Sequence, residues 1–214
     1  LLNKVFHRSA EKMKELPGVP VVTYVNSTAS VKALSTVCCT SANVVKVVNS
    51  FKENELLMVP DRNLSAFAAS KTDKKINFWD GYCPVHDRLG RDDVLKAKQK
   101  YPDALLLAHP ECRQEVLEIS DAVLSTSGMI SYANKSKKKA FIIATEIGIL
   151  YPLKKANPDK VFYPASDKME CIDMKKITLA DILRSLEFVE GEVKVPEEIR
   201  RPAMKAVQKM INLS

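Results

Sequence analysis

The sequence predicts an α/β protein of two homologous three-layer αβα domains, each a short parallel sheet covered by helices. Three observations predict it. Short β-rich runs alternate with helical patterns, the signature of βαβ units and a parallel sheet. The alternation occurs twice, in register, at an offset of 85 residues. Each copy then ends on a cysteine in a turn-like stretch, Cys83 in the first and Cys171 in the second.

Length and composition fit that reading. A chain of 214 residues with 46% hydrophobic content suffices for one large domain or two of about 100 residues with packed cores. No apolar run reaches the roughly 18 residues of a membrane span and no secretory pattern opens the chain. The protein is therefore read as soluble and cytoplasmic, with no membrane partner. The net charge of +7 admits nucleic acid as a partner. Only Lys135, Lys137, Lys138 and Lys139 form a dense basic cluster, however, and no aromatic–basic interleaving accompanies it. Small anionic substrates are expected instead, and no nucleic acid. Five cysteines without a C-x-x-C pair speak against a zinc ribbon or thioredoxin-type site. Their odd number argues against a disulfide framework. Cys38, Cys39 and Cys112 are read as buried thiols packing like small hydrophobes.

In chain order, a helix over about residues 2–16 opens the first copy. Strands follow at Val21–Tyr24, Val37–Cys39, residues 56–59 and Lys75–Phe78. Setting Pro17 on Pro102 places residues 19–23 on 104–108, Tyr24 on His109 and Asn26 on Glu111. Thr40-Ser41-Ala42 then falls on Ser125-Thr126-Ser127, residues 56–59 on 141–144, and Asp61 on Glu146. Three extra residues in the second copy bring Cys83 opposite Cys171. The second copy opens with a helix capped by Asp92 or Asp93 and running to about Lys100, with Val94, Ala97 and Tyr101 on one face. Thr178 is expected to cap a helix over residues 179–186. Pro196 suits the first turn of a last helix whose packing face carries Ile199, Ala206, Met210 and Ile211. The expected organisation is residues 1–87 as one repeat, 88–190 as the next, and 191–214 as a C-terminal helix packing on both. Counting one period back from Cys83, the repeat leads one to expect a further cysteine about two to five residues before Leu1. With Leu rather than Met at position 1, the chain is expected to start just after the cysteine loop of an earlier domain.

In open α/β sheets ligands bind beyond the carboxyl ends of the strands, and the polar residues singled out by the repeat fall there. Tyr24-Val25-Asn26-Ser27 and His109-Pro110-Glu111-Cys112 follow the first strand of each copy, and the two Ser/Thr turns follow the second. Asp61 and Glu146 follow the third strand, and the cysteine loops follow the last. The hydroxyls of Ser41, Ser125 and Thr126, placed where helices start, suit an anion site or ordinary N-capping, and the two are compatible. Glu111 can serve as a general base and His109 as a proton donor or anion ligand; a satisfied histidine and a capping glutamate is the alternative. Tyr24 can donate to a substrate carboxylate or carbonyl, or be a core tyrosine with a satisfied hydroxyl. One cysteine per domain, each on a loop at a pseudo-axis, suggests a [4Fe–4S] cluster held by three thiolates, its fourth iron open as a Lewis acid. His86, three residues after Cys83, is read as orienting that loop in preference to ligating metal, since Fe–S clusters are held chiefly by thiolates.

A series of motifs, in order and spanning nearly the whole chain, resembles the quinolinate synthase family. They are Tyr-Val-Asn-Ser-Thr (24–28), Cys-Thr-Ser-Ala-Asn (39–43), Pro-Asp-Arg-Asn-Leu (60–64) and Gly-Tyr-Cys-Pro-Val-His (81–86). His-Pro-Glu-Cys (109–112), Ser-Thr-Ser-Gly-Met (125–129), Thr-Glu-Ile-Gly (145–148) and Cys-Ile-Asp-Met-Lys (171–175) complete the series. The resemblance implies a pseudo-threefold architecture of three α/β domains, of which this chain carries the second and third and lacks the first. It implies a transferase of de novo NAD biosynthesis that condenses iminoaspartate with dihydroxyacetone phosphate to quinolinate. L-aspartate oxidase or aspartate dehydrogenase is the implied upstream enzyme. Carried over by position, Cys83 and Cys171 are metal ligands of a [4Fe–4S] cluster, with the third cysteine upstream of Leu1. Tyr24 and Glu111 are the implied catalytic acid/base residues. Substrate binding falls to Tyr24, Asn26, Ser41, His109, Glu111, Ser125 and Thr126. Tyr82 stands where many members have histidine. The alternative reading is an inactive two-domain form that binds small dicarboxylates or serves as a scaffold.

Overall fold

The computed structural model describes residues 11–213. It contains two four-stranded sheets of identical strand order. In the first, β1 (Val21–Tyr24), β2 (Val37–Cys39), β3 (Glu55–Val59) and β4 (Lys75–Phe78) lie in the order β2-β1-β3-β4. In the second, β5 (Leu105–Ala108), β6 (Ala122–Val123), β7 (Ala140–Ala144) and β8 (Val161–Pro164) lie in the order β6-β5-β7-β8. Every pairing is parallel. The expected α/β class with two parallel sheets is what the chain adopts, and strand ends fall within a residue of the sequence reading. Of the helix expected over residues 2–16, residues 2–10 lie outside the described residues, and 11–15 are helical.

Both sheets are apolar on both faces because helices cover both. The period-two alternation of a strand therefore divides each strand between two cores. Leu56 and Met58 face one side of the first sheet with Val22 and Val37, while Leu57 and Val59 face the other with Val21 and Val31. In the second sheet Leu106 and Ile142 divide in the same way from Leu107, Phe141 and Ile143. Each such side chain, fully removed from water, contributes about 1.5–3 kcal/mol. Val85 and Leu89, just past Cys83, are buried in a core of the second sheet. The Cys83 loop is thus the seam between the two repeats.

The caps differ from the sequence reading in three places. The helix Arg91–Lys100 begins one residue before the first expected cap: Gly90 is its N-cap, and its N–H donates to Asp93 Oδ2 at 3.3 Å. Asp93 thus sits in the first turn, where its carboxylate meets an otherwise orphan amide. The turn after β2 is closed by Asn43, whose side chain accepts from the Thr40 N–H at 2.7 Å, so Ser41 is not a helix cap. Pro196 is the N-cap residue of Glu197–Asn212 rather than a first-turn residue. Thr178 caps Leu179–Phe188 as expected, accepting from Asp181 N–H at 3.2 Å. The last helix buries Ala203 and Ala206 against Ala29–Ala33 and β2, and Met210 and Leu213 pack on the first sheet's core. Ile211, expected on the packing face, is 54% exposed. Among the described residues no helix is long and apolar enough to cross a membrane.

Candidate functional site

The carboxyl ends of β1 and β5 bring the two copies together. Tyr24 ends β1, and its hydroxyl donates to Glu111 Oε2 at 3.3 Å across the seam. Ser41, in the turn after β2, lies beside the same tyrosine. Glu111 sits in the turn after β5, which is pinned at both sides. His109 N–H donates to the Ala144 carbonyl at 3.1 Å and Cys112 N–H to the His109 carbonyl at 2.9 Å. Tyr24, Asn26, Asp61, Trp79, Cys83 and Glu111 line one cavity of about 550 Å³. Tyr24 and Glu111 are buried at its base, and Asn26 is exposed.

Burial sets the protonation of this cluster. The Glu111 carboxyl is pushed up to about 8 by burial, with the nearby Asp61 charge adding to it. Asp61 is also raised by burial, although the N–H groups of Leu64 and Cys83 support its charge. Two buried carboxyls cannot both ionise cheaply, so Glu111 keeps its proton and hydrogen-bonds the Asp61 carboxylate. Burial, and then Glu111, raises the Tyr24 phenol. His86 and His109 are stacked at 4.7 Å, and burial lowers them to about 4 and about 3, so both imidazoles are neutral near pH 7. Glu111 N–H donates to His109 Nδ1 at 3.4 Å, which places that ring's proton on Nε2. His86 Nε2 pairs with Thr145 Oγ1 at 2.8 Å, while its buried Nδ1 has no hydrogen-bond partner among the described residues. A buried ring nitrogen of that kind is completed by water or a ligand. A carboxyl titrating near neutrality beside a phenol and a neutral imidazole can both give and take a proton.

The cysteines divide into two kinds. Cys38, Cys39 and Cys112 are wholly buried free thiols, as the sequence reading has them. Cys83 and Cys171 are half-buried, unpaired, and placed past β4 and β8, both packed against the same core of the second repeat. Donor atoms of Cys83, His86 and Glu111 all lie within 4.8 Å of one another. Accessible free thiols on loops at strand ends are the donors an iron–sulfur group requires, and these two fit it. Ser125 caps Thr126–Lys135, accepting from Gly128 N–H at 3.2 Å, and Thr126 is exposed beside it. Neither lines the cavity with Tyr24 and Glu111. The Lys135–Lys139 cluster precedes β7, at the opposite end of the sheet from Glu111, so it lends the cavity no charge. Asp61 and the His86–His109 stack are the site features the sequence reading undervalued. The only signals for them were the register of Asp61 with Glu146 and the short interval from Cys83 to His86.

Two copies of one α/β unit, facing across a cleft with an acid–base cluster and one half-buried thiol each, define a repeat-built cleft protein equipped for proton transfer. The family model described as "Quinolinate synthetase A protein" matches residues 3–212, and the chain belongs to that family. It is 56% identical over 195 residues to a quinolinate synthase of Geotalea uraniireducens (strain Rf4), covering 91% of this chain and 64% of the relative. It is 54% identical to a quinolinate synthase of Geobacter metallireducens, with the same shares covered. To quinolinate synthase 1 of Methanosarcina acetivorans it is 50% identical over 202 residues, covering 94% of this chain and 66% of the relative. The chain thus spans 64% to 66% of the length of these relatives.

Proposed function

We propose that the chain carries two thirds of a quinolinate synthase, condensing iminoaspartate with dihydroxyacetone phosphate to quinolinate for NAD biosynthesis. The observation that carries this reading is Glu111, buried with its proton near neutral pH and reached by Tyr24 from the other repeat. The condensation expels two waters and a phosphate, and each departure needs a proton delivered and another removed. Glu111 is the group that exchanges them, with the Tyr24 hydroxyl as donor to the oxygen that leaves. His109, Asn26 and Ser41 bind and orient the substrate, and Ser125 and Thr126 take the phosphate at the start of the helix Thr126–Lys135. Burial of the acid–base group excludes the bulk water that would hydrolyse an imine. Iminoaspartate is itself that kind of compound, so an aspartate-oxidising enzyme must supply it.

Cys83 and Cys171 would hold two corners of a [4Fe–4S] cluster. A third thiolate is expected from the part of the relatives' length that this chain does not span. When bound, the cluster supplies an open iron that acts as a Lewis acid on a substrate oxygen or nitrogen.

The test is iron and sulfide content per chain after anaerobic reconstitution, beside quinolinate formation, in the chain and in Cys83→Ala. About four irons per chain, lost in the variant together with quinolinate formation, is the expected result. Tight dicarboxylate binding with no stoichiometric iron and no product would replace this reading with that of a dicarboxylate-binding module.

A further inference from the structure

Both copies close their cysteine loop with the same pair of hydrogen bonds. In the first, Asp61 Oδ1 accepts from Leu64 N–H at 2.7 Å, capping Arg62–Ala69, and Oδ2 accepts from Cys83 N–H at 2.8 Å. One residue on, Arg62 N–H donates to the Gly81 carbonyl at 2.7 Å. In the second, Glu146 Oε2 accepts from Gly148 N–H at 2.7 Å and Oε1 from Cys171 N–H at 3.3 Å. Again one residue on, Ile147 N–H donates to the Met169 carbonyl at 2.9 Å. In each copy that carbonyl lies two residues before the cysteine.

The two acids differ by a methylene, and the turns differ too, yet both carboxylates span the same gap. A longer acid must fold back to do so. A Cβ at position 148 would lie 2.6 Å from Glu146 Oε2, so the side chain occupies space that only glycine leaves free. The shorter Asp61 leaves room for Asn63 at the matching place. Capping alone needs one carboxylate oxygen. In both copies the second oxygen goes to the cysteine amide, and both acids are buried.

We infer that Asp61 and Glu146 are positioning residues: each carboxylate ties a cysteine amide to the start of the helical turn after the sheet's third strand and so fixes where the thiol points. A charge-assisted hydrogen bond is roughly twice as strong as a neutral one, and the second backbone bond leaves the loop no hinge between the two anchors. The purpose of the clamp rests on reading Cys83 and Cys171 as cluster ligands. Its existence does not, and it is measurable with no cluster present.

The experiment is amide hydrogen exchange and thiol alkylation, read residue by residue by mass spectrometry on the cluster-free chain. Asp61→Asn keeps the shape but offers one acceptor oxygen for two amides. The expected result is exchange at the Cys83 amide, and alkylation of its thiol, faster on the order of ten- to hundredfold, with Cys171 and the β3 core amide of Leu57 unchanged. Glu146→Gln is expected to mirror this at Cys171 alone. Gly148→Ala keeps the acid in the sequence but displaces its side chain, and it should reproduce the Cys171 effect. It also carries the test should an acid variant fail to fold. Unchanged cysteine amides, or both loops and Leu57 loosening together, would overturn the inference. An iron-free wild-type chain after reconstitution would count against the cluster reading only, leaving the clamp measurement to stand or fall by itself.

Discussion

At the end of its first strand the first repeat carries Tyr24 and Asn26, while the second carries His109 and Glu111 at the same register. The sheets of the two copies share one strand order, with parallel pairing throughout. What differs is the side chain at two matched positions, and the differing members meet: Tyr24 of one copy donates to Glu111 of the other. Duplication supplies position, and divergence supplies chemistry. A symmetric pair of tyrosines or of glutamates would offer two donors or two charges at the seam, where one donor facing one buried acid makes a usable proton pair.

The largest expected break of that comparison is in turnover. Glu111→Gln should lower quinolinate formation by about 10²–10⁴-fold, the usual worth of a general acid–base group. Asn26→Ala, at the matched position, should lower it less than about tenfold, the loss of a single neutral hydrogen bond to substrate. Equal losses would show that the two positions have not diverged in role.

Next in size is the contrast among thiols. In the folded chain Cys83 and Cys171 should be alkylated at least about a hundredfold faster than Cys38, Cys39 and Cys112, whose reaction waits on opening of the core. Mass spectrometry of partially modified chains measures the order.

The third expectation concerns pH. Glu111 keeps its proton in the fold to about pH 8, whereas in the unfolded chain it loses it above its ordinary value of 4.5. Its contribution to stability is complete below about 4.5 and is lost as pH rises through about 8. The two histidines act oppositely: neutral in the fold down to about 4 and 3, they bind protons in the unfolded chain below 6.5. Their contribution is complete above 6.5 and is lost as pH falls. Stability should therefore peak near pH 6.5 and decline toward pH 8. The decline amounts to about 1–2 kcal/mol, a few degrees in Tm for a chain of this size. Thermal melts between pH 5 and 9 test it, and Glu111→Gln should flatten the alkaline side.

On stability, the smallest effect is expected from Tyr24→Phe. The phenol's hydrogen bond favours the ionised Glu111. Its loss should move the alkaline decline upward by less than about one pH unit, with little change at pH 6.

Much of this was legible in the sequence because the repeat doubled every weak signal. The two residues of β6 would not stand out alone, but the place of β2 in the first copy marks them. Cys83 and Cys171 were found the same way. Helix starts were less legible. Gly90 has no side chain with which to announce a cap, and the acids after it invite the wrong choice. The protonation of Glu111 was not legible at all, because it depends on burial at the seam and on Asp61, fifty residues away in sequence and adjacent only once two domains have met. The helix Leu179–Phe188 illustrates the reverse case. Its amphipathic spacing is plain, yet Leu179, Leu183 and Leu186 are exposed.

The last helix, Glu197–Asn212, follows the second repeat in the chain but is seated on Ala29–Ala33 and β2 of the first. During synthesis, then, the earlier repeat leaves the ribosome with one flank bare and stays so until well over a hundred further residues have followed. At about 5–20 residues per second, that is a wait of roughly 6–25 seconds. Through that interval Val37 and its neighbours depend on whatever else in the cell shields an unfinished sheet, and a chain halted before residue 197 would leave them dependent on it for good.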